Sequence, residues 1–231
     1  MKRIIFSLFL VLLVTQVKAQ STFVRFMTNK DDITIMLYDE TPKHRDMFLT
    51  GIKKGWYKNA EFNRVIKSFV SQGGELDDTI LNREKRHPEL GAKRFAAEIK
   101  PNLFHKKGAL GAGRDDNAEK ASYFTQIYLV VGKKQTDAQL DAIEQKKNRK
   151  IPAAQRAIYK TAGGTPHLDQ DYTIFGEIVE GMEVADAINA MATDKNDVPL
   201  SAVVFNPVIL SKKQATKFQQ QLKKKKIYTH E

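Results

Sequence analysis

Two alternating runs, residues 60–66 and 69–74, constrain this chain most: they read Ala-Glu-Phe-Asn-Arg-Val-Ile and Phe-Val-Ser-Gln-Gly-Gly, the pattern of adjoining strands. Strand side chains alternate with a period of two, which puts Phe62, Arg64 and Ile66 on one face and Asn63 and Val65 on the other. The second run sets Phe69, Ser71 and Gly73 against Val70, Gln72 and Gly74. An arginine and a glutamine therefore stand where apolar residues are expected. At this level two readings stand. Arg64 lays its stem over apolar surface while Gln72 satisfies a sheet edge, or Arg64, Phe69 and Gln72 line one groove. The paired glycines mark a turn or a close backbone approach.

The surrounding chain repeats the short-strand rhythm. Residues 23–27 and 33–38 read as a hairpin, and Thr41-Pro42 supplies an N-cap and a first-turn proline for a helix that stops at Gly55. Residues 76–94 are polar and without periodicity. Strands are expected over 95–99, 108–113, 125–131 and 172–179, and a second helix over 182–191 carries Val184, Ile188 and Met191 on one face. A last strand over 202–210 is interrupted by Asn206-Pro207, which places it at an edge or a bulge. Many short strands without strand–helix alternation point to a sandwich or a barrel. Between 133 and 163 the pattern changes: Thr136-Asp-Ala-Gln139 is a capping box and Ile151-Pro152 opens a further helix, which together predict an inserted helical hairpin on the surface of the β domain.

Composition and termini bound the function class. The chain has 231 residues, 42% hydrophobic and 28% charged, enough for one domain with appendages. Met1-Lys2-Arg3, an apolar run to Val14 and Val17-Lys18-Ala19 read as a signal peptide over 1–19, and no later run reaches a membrane span. With no cysteine there is no disulfide, thiolate nucleophile or lipid anchor, so the mature protein is expected in a periplasm. The net charge of +11 lies largely in lysine runs outside the expected core, read as solvated faces and a basic tail over 213–231 rather than a nucleic-acid surface. Five histidines show no zinc spacing, and Gly-x-Ser-x-Gly, phosphate-loop and dinucleotide motifs are absent.

Phe62-x-Arg-Val-Ile-x-x-Phe-Val-x-Gln-Gly-Gly74 resembles the signature of the cyclophilins, the peptidyl-prolyl cis-trans isomerases. Thr125-Gln-Ile-Tyr-Leu129 resembles the family's Ser-Gln-Phe-Phe-Ile strand, and the segments 165–169 and 172–176 resemble its Trp-Leu-Asp-Gly-x-His-x-Val-Phe-Gly stretch. The likeness covers about 23–210 apart from the hairpin, and implies a mainly β fold, a closed antiparallel β-barrel capped by two helices, over a domain of residues 20–212. It implies Arg64 and Gln72 as catalytic residues. It also implies that Phe69, Val70, Gly113, Gln126, Tyr128, Leu168, Tyr172 and Phe175 bind substrate, with Tyr128 the pocket floor, Leu168 its closure and Phe175 or Leu168 a wall. Asn63 replaces the usual histidine beside the arginine, His167 a tryptophan, Tyr172 a histidine and Gly113-Arg114 an Ala-Asn pair, so activity that is reduced, or retuned toward other flanking sequences, is expected.

Rotation about an X-Pro bond breaks nothing. Its barrier of roughly 20 kcal/mol is lost amide resonance, so the reaction needs neither cofactor nor metal. As the bond twists, the proline nitrogen gains a lone pair that a fixed guanidinium stabilises more than it stabilises the planar amide. The expected partners are proline-containing polypeptides, with no nucleic acid and a monomeric state. The rival readings are a cyclophilin-shaped chaperone or scaffold with little turnover, and an adaptor driven by the basic tail.

Overall fold

The computed structural model describes residues 21–224. The leader read over 1–19 and residues 225–231 of the basic segment lie outside them. The elements run β1 (Thr22–Thr28), β2 (Ile33–Leu37), α1 (Pro42–Lys53), β3 (Ala60–Val65), β4 (Val70–Gly74), α2 (Asp77–Arg86), β5 (Arg94–Phe95), β6 (Ala109–Ala112), β7 (Ser122–Tyr123), β8 (Gln126–Val130), α3 (Asp137–Lys147), α4 (Ala153–Thr161), β9 (Ile174–Glu180), α5 (Met182–Asn189), β10 (Val204–Ile209) and α6 (Lys212–Lys224). Eight strands close an antiparallel barrel in the order β1-β10-β3-β4-β8-β6-β9-β2, the fold that the resemblance implied. Among the described residues no helix is long and apolar enough to cross a membrane.

Strand alternation divides the apolar residues between the lumen and the outer wall. Val24, Phe26, Ile35, Phe62, Val65, Leu110, Ile127, Phe175 and Phe205 fill the lumen, and Phe48 of α1 with Val184 and Ile188 of α5 joins them. These two helices cap the barrel. Burying a side chain of this kind contributes roughly 1.5–3 kcal/mol, so the lumen carries much of the folding drive.

β3 departs from simple alternation. Phe62 pairs with Gly73 and Arg64 with Gln72, so Asn63 is an extra residue in a bulge. Phe62 and Val65 consequently both point into the lumen while Arg64 turns outward, which overturns the reading that Phe62 and Arg64 share a face. Pro207 of β10 pairs with Phe26 of β1, beyond the stretch where Val204 and Phe205 pair with β3. The missing N–H is thereby tolerated inside a closed barrel.

Other expectations are corrected locally. Thr41 occupies the N-cap of α1 but its hydroxyl makes no cap bond; Glu98 instead accepts the backbone N–H groups of Lys43 and His44. Of the strand read over 95–99 only Phe95 pairs, joined by Arg94 before it in a two-residue strand against Ser122–Tyr123. The polar stretch after Leu76 contains α2, whose one buried residue, Ile80, gives no periodic signal. Most of the segment read as a basic tail is α6, which lays Ala215, Phe218 and Leu222 on the outer wall against Phe23.

The inserted hairpin is α3 and α4. Thr136 and Gln139 form the reciprocal capping box, and Leu140, Ile151 and Tyr159 make a small core with Phe104 and Ile143. It packs beside the 3-10 turn Pro166–Leu168, where Arg149 donates to the Pro166 and Asp169 carbonyls.

Candidate functional site

One cross-strand row builds the site. Arg64 of β3 pairs with Gln72 of β4, Gln72 with Tyr128 of β8, and Tyr128 with Gly111 of β6. Adjacent strands lie about 4.8 Å apart, so the row sets Arg64 roughly 10 Å from Tyr128 across the outer wall. A Cβ on Gly111 would lie 2.1 Å from the Tyr128 ring and one on Gly113 1.9 Å from the Gln126 amide, so these glycines leave the space that the two side chains fill. Gly74 has φ +93° and its Cβ would meet the Thr125 carbonyl at 2.0 Å, which explains the second glycine of the pair.

The cavity on this row measures about 130 Å³. An apolar cavity of ~150 Å³ holds a benzene ring, so this one suits a single small ring. Phe69, Val70, Tyr128, Leu168 and Tyr172 give it apolar surface, with Arg64, Gln72, Gly113 and Gln126 along its rim. All of the expected site residues meet here except Phe175. Ile174 faces the outer wall and Phe175 the lumen, by the period of two, so Phe175 packs on Phe48 and His44 instead. Tyr172 supplies the wall, its ring edge-on to Tyr128 at 6.0 Å. His167 stacks on Phe69 at 5.3 Å.

Two further residues stand on the rim, one noted in the sequence only as a departure and one missed there. Arg114 lies over the Tyr172 ring at 4.8 Å and donates to the carbonyls of Asp171, Asp115 and Asn117. Asp77, at the start of α2, accepts from the Gln126 amide, which also donates to Glu75 O at 2.9 Å. Arg114 was visible as a departure from the family pattern; Asp77 carried no signal because α2 itself carried none.

Arg64 is 44% exposed and its carboxylate neighbour, Asp197, stands 3.4 Å away, beyond good hydrogen-bond length. Its N–H groups therefore point to a groove with donor capacity to spare. Asn63 makes no hydrogen bond to this guanidinium: its amide N–H donates to Gly74 O at 2.5 Å and pins the bulge, and its Oδ1 has no hydrogen-bond partner among the described residues. Burial holds the Tyr128 hydroxyl well above the ordinary phenol range, so it stays neutral. An apolar ring socket beside a half-exposed cation and two amides can grip a cyclic residue, hold a chain on each side and stabilise a nascent lone pair.

The profile described as cyclophilin type peptidyl-prolyl cis-trans isomerase/CLD matches residues 23–208. The chain is 30% identical over 182 residues to a putative peptidyl-prolyl cis-trans isomerase of Staphylococcus saprophyticus, covering 78% of this chain and 87% of that one. It is 32% identical, with the same coverage, to one of Staphylococcus aureus. In fold it is similar to a cyclophilin type peptidyl-prolyl cis-trans isomerase of Cryptosporidium parvum: TM-score 0.59, 23% identity, 83% of this chain and 98% of that one. A second structure of that isomerase, in the presence of the dipeptide Ala-Pro, gives a TM-score of 0.58 at 22% identity and covers 82% and 99%.

Proposed function

The chain belongs to the cyclophilin-type peptidyl-prolyl cis-trans isomerases, and from that premise we propose that it turns X-Pro bonds of chains folding outside the cytoplasm, with Arg64 as the group that stabilises the twisted amide. The observation that carries the site assignment is the 130 Å³ socket floored by Tyr128 on the row that bears Arg64 and Gln72. Phe69, Val70, Leu168 and Tyr172 hold the proline ring by burial. Gln72 and Gln126 hold the backbone of the bound chain. As the C–N bond rotates, the Arg64 guanidinium donates to the proline nitrogen, an interaction that the planar amide cannot accept.

Work outside the cytoplasm is supported by the basic, then apolar, then small-residue order of positions 1–19. Uncatalysed isomerisation takes tens to hundreds of seconds, slow enough to limit folding there. Cell fractionation tests this: recovery of full-length, uncleaved chain in the cytoplasm counts against it. The site itself is tested with Arg64→Ala in an isomerisation assay on an X-Pro peptide. Loss of one transition-state donor lowers kcat about 10²–10³-fold, and the circular dichroism spectrum stays that of the wild type because an exposed ion pair adds at most ~1 kcal/mol to stability. An unchanged rate overturns the assignment.

A further inference from the structure

We propose that the inserted hairpin positions the floor of the proline pocket through a buried relay, Tyr159 to Asp169 to His105 to Tyr128, which makes Tyr159 a positioning residue for substrate binding. This rests on the reading of the cavity as the proline socket.

The relay is continuous and enclosed. The Tyr159 hydroxyl donates to Asp169 Oδ2 at 2.7 Å, while Asp169 Oδ1 receives the backbone N–H of His105 at 2.8 Å and faces His105 Nδ1 at 2.8 Å. A carboxylate accepts, so Nδ1 carries a proton, and in the neutral imidazole, the form the relay requires, Nε2 then presents a lone pair. The Tyr128 hydroxyl, 2.8 Å from Nε2, therefore donates to it. All four side chains are buried, where each bond is stronger than in water and each unmade one costly.

The hairpin is fastened at both ends of this relay. At its base Gln135 N–H donates to Tyr159 O, Lys107 N–H to Gly163 O and Thr165 N–H to His105 O, which locks the segment bearing His105 to the end of α4. Near its tip Arg149 spans the carbonyls of Pro166 and Asp169, on either side of Leu168, the residue that closes the socket. The Tyr128 ring lies hard against Gly111, so the hydroxyl bond to His105 is what sets its remaining freedom, rotation and tilt. A phenylalanine there would fill the floor without any link to the hairpin. The hydroxyl thus couples an appendage to the groove, and Tyr159 is the point where the appendage enters.

Because the proline ring is gripped in planar and twisted states alike, a displaced floor weakens both equally and appears in KM. With the full chain and an X-Pro peptide, Tyr159→Phe is expected to raise KM about three- to tenfold with kcat within about twofold. Made in a Tyr128→Phe background, the same change is expected to move KM less than about twofold, because the relay is already cut. An unaltered KM for Tyr159→Phe, or an equal rise in both backgrounds, overturns the proposal. If Tyr159→Phe fails to fold by circular dichroism, Arg149→Lys takes its place, since an ammonium cannot span both carbonyls; a KM unchanged by that variant is equally fatal. Arg64→Ala run alongside separates the cases: a rate unaffected there removes the socket reading itself, whereas a lost rate there with an unmoved KM for Tyr159→Phe removes the relay alone.

Discussion

A missing methyl group decides the depth of the pocket. The Cβ position of Gly111 is 2.1 Å from Cζ of Tyr128, and the ring cannot withdraw because its hydroxyl is held by His105. Gly111→Ala therefore overpacks a closed site, and such insertions cost about 1–3 kcal/mol. The expected outcome is a lower urea midpoint together with a raised KM; an unchanged midpoint would show that the floor yields. Much at this scale was legible in the sequence. Arg64, Gln72, Gln126 and Tyr128 stand where an ordered motif puts them. Two features were not. The bulge at Asn63 depends on which cross-strand pairs form, so simple alternation assigned Phe62 and Arg64 to one face. Phe175 was read as a wall because its place relative to the lumen depends on the phase of β9, which only the closed barrel fixes.

At the scale of elements, α1 is held by a residue from outside it. Glu98 accepts two N–H groups of its first turn and stands 2.7 Å from His44 Nδ1, while His44 Nε2 faces Ser122 Oγ at 3.0 Å. Glu98→Ala leaves those donors poorly satisfied and is expected to cost about 1–3 kcal/mol in a urea titration; a loss within about 0.5 kcal/mol would mean that water replaces the carboxylate. The same pair gives the fold a pH dependence. Burial lowers the pKa of His44 below its usual 6.5, against the opposing pull of Glu98. The unfolded chain thus binds a proton first, and stability falls as pH drops through about 6.5. Burial alone would raise the pKa of Glu98, but bonds from His44 and Lys43 hold it below 4.5, so a further loss follows as pH falls below that value. Urea midpoints at successive pH values are expected to decline steadily from neutral to acid, and a flat profile would contradict the assignment. Helix α2 shows why such elements hide: with Ile80 its only buried residue, no apolar stripe marks it, whereas the capping box of α3 did announce itself.

For the whole molecule, net charge proved a poor guide to architecture. A surplus of +11 with a terminal lysine run reads as a solvated tail, yet Ala215, Phe218 and Leu222 recur at the i, i+3, i+7 spacing of a buried stripe. Lysine stems flank that stripe with their ammonium groups in water, so charge and burial coexist on one helix. Phe218 meets Phe23 edge-on at 5.2 Å and covers β1. Removing so large a buried ring, as in Phe218→Ala, costs about 3–5 kcal/mol, a large share of the 5–15 kcal/mol that holds a domain folded. Since β1 is two places from β3 and three from β4 in the barrel order, the loss lies on strands that carry neither Arg64 nor Gln72. Isomerase activity per folded molecule is therefore expected to match the wild type well below the melting transition, while the transition itself moves down. A fall in kcat at temperatures where the variant is fully folded would show instead that α6 reaches the groove through the outer-wall cluster it shares with Tyr128 and Val70.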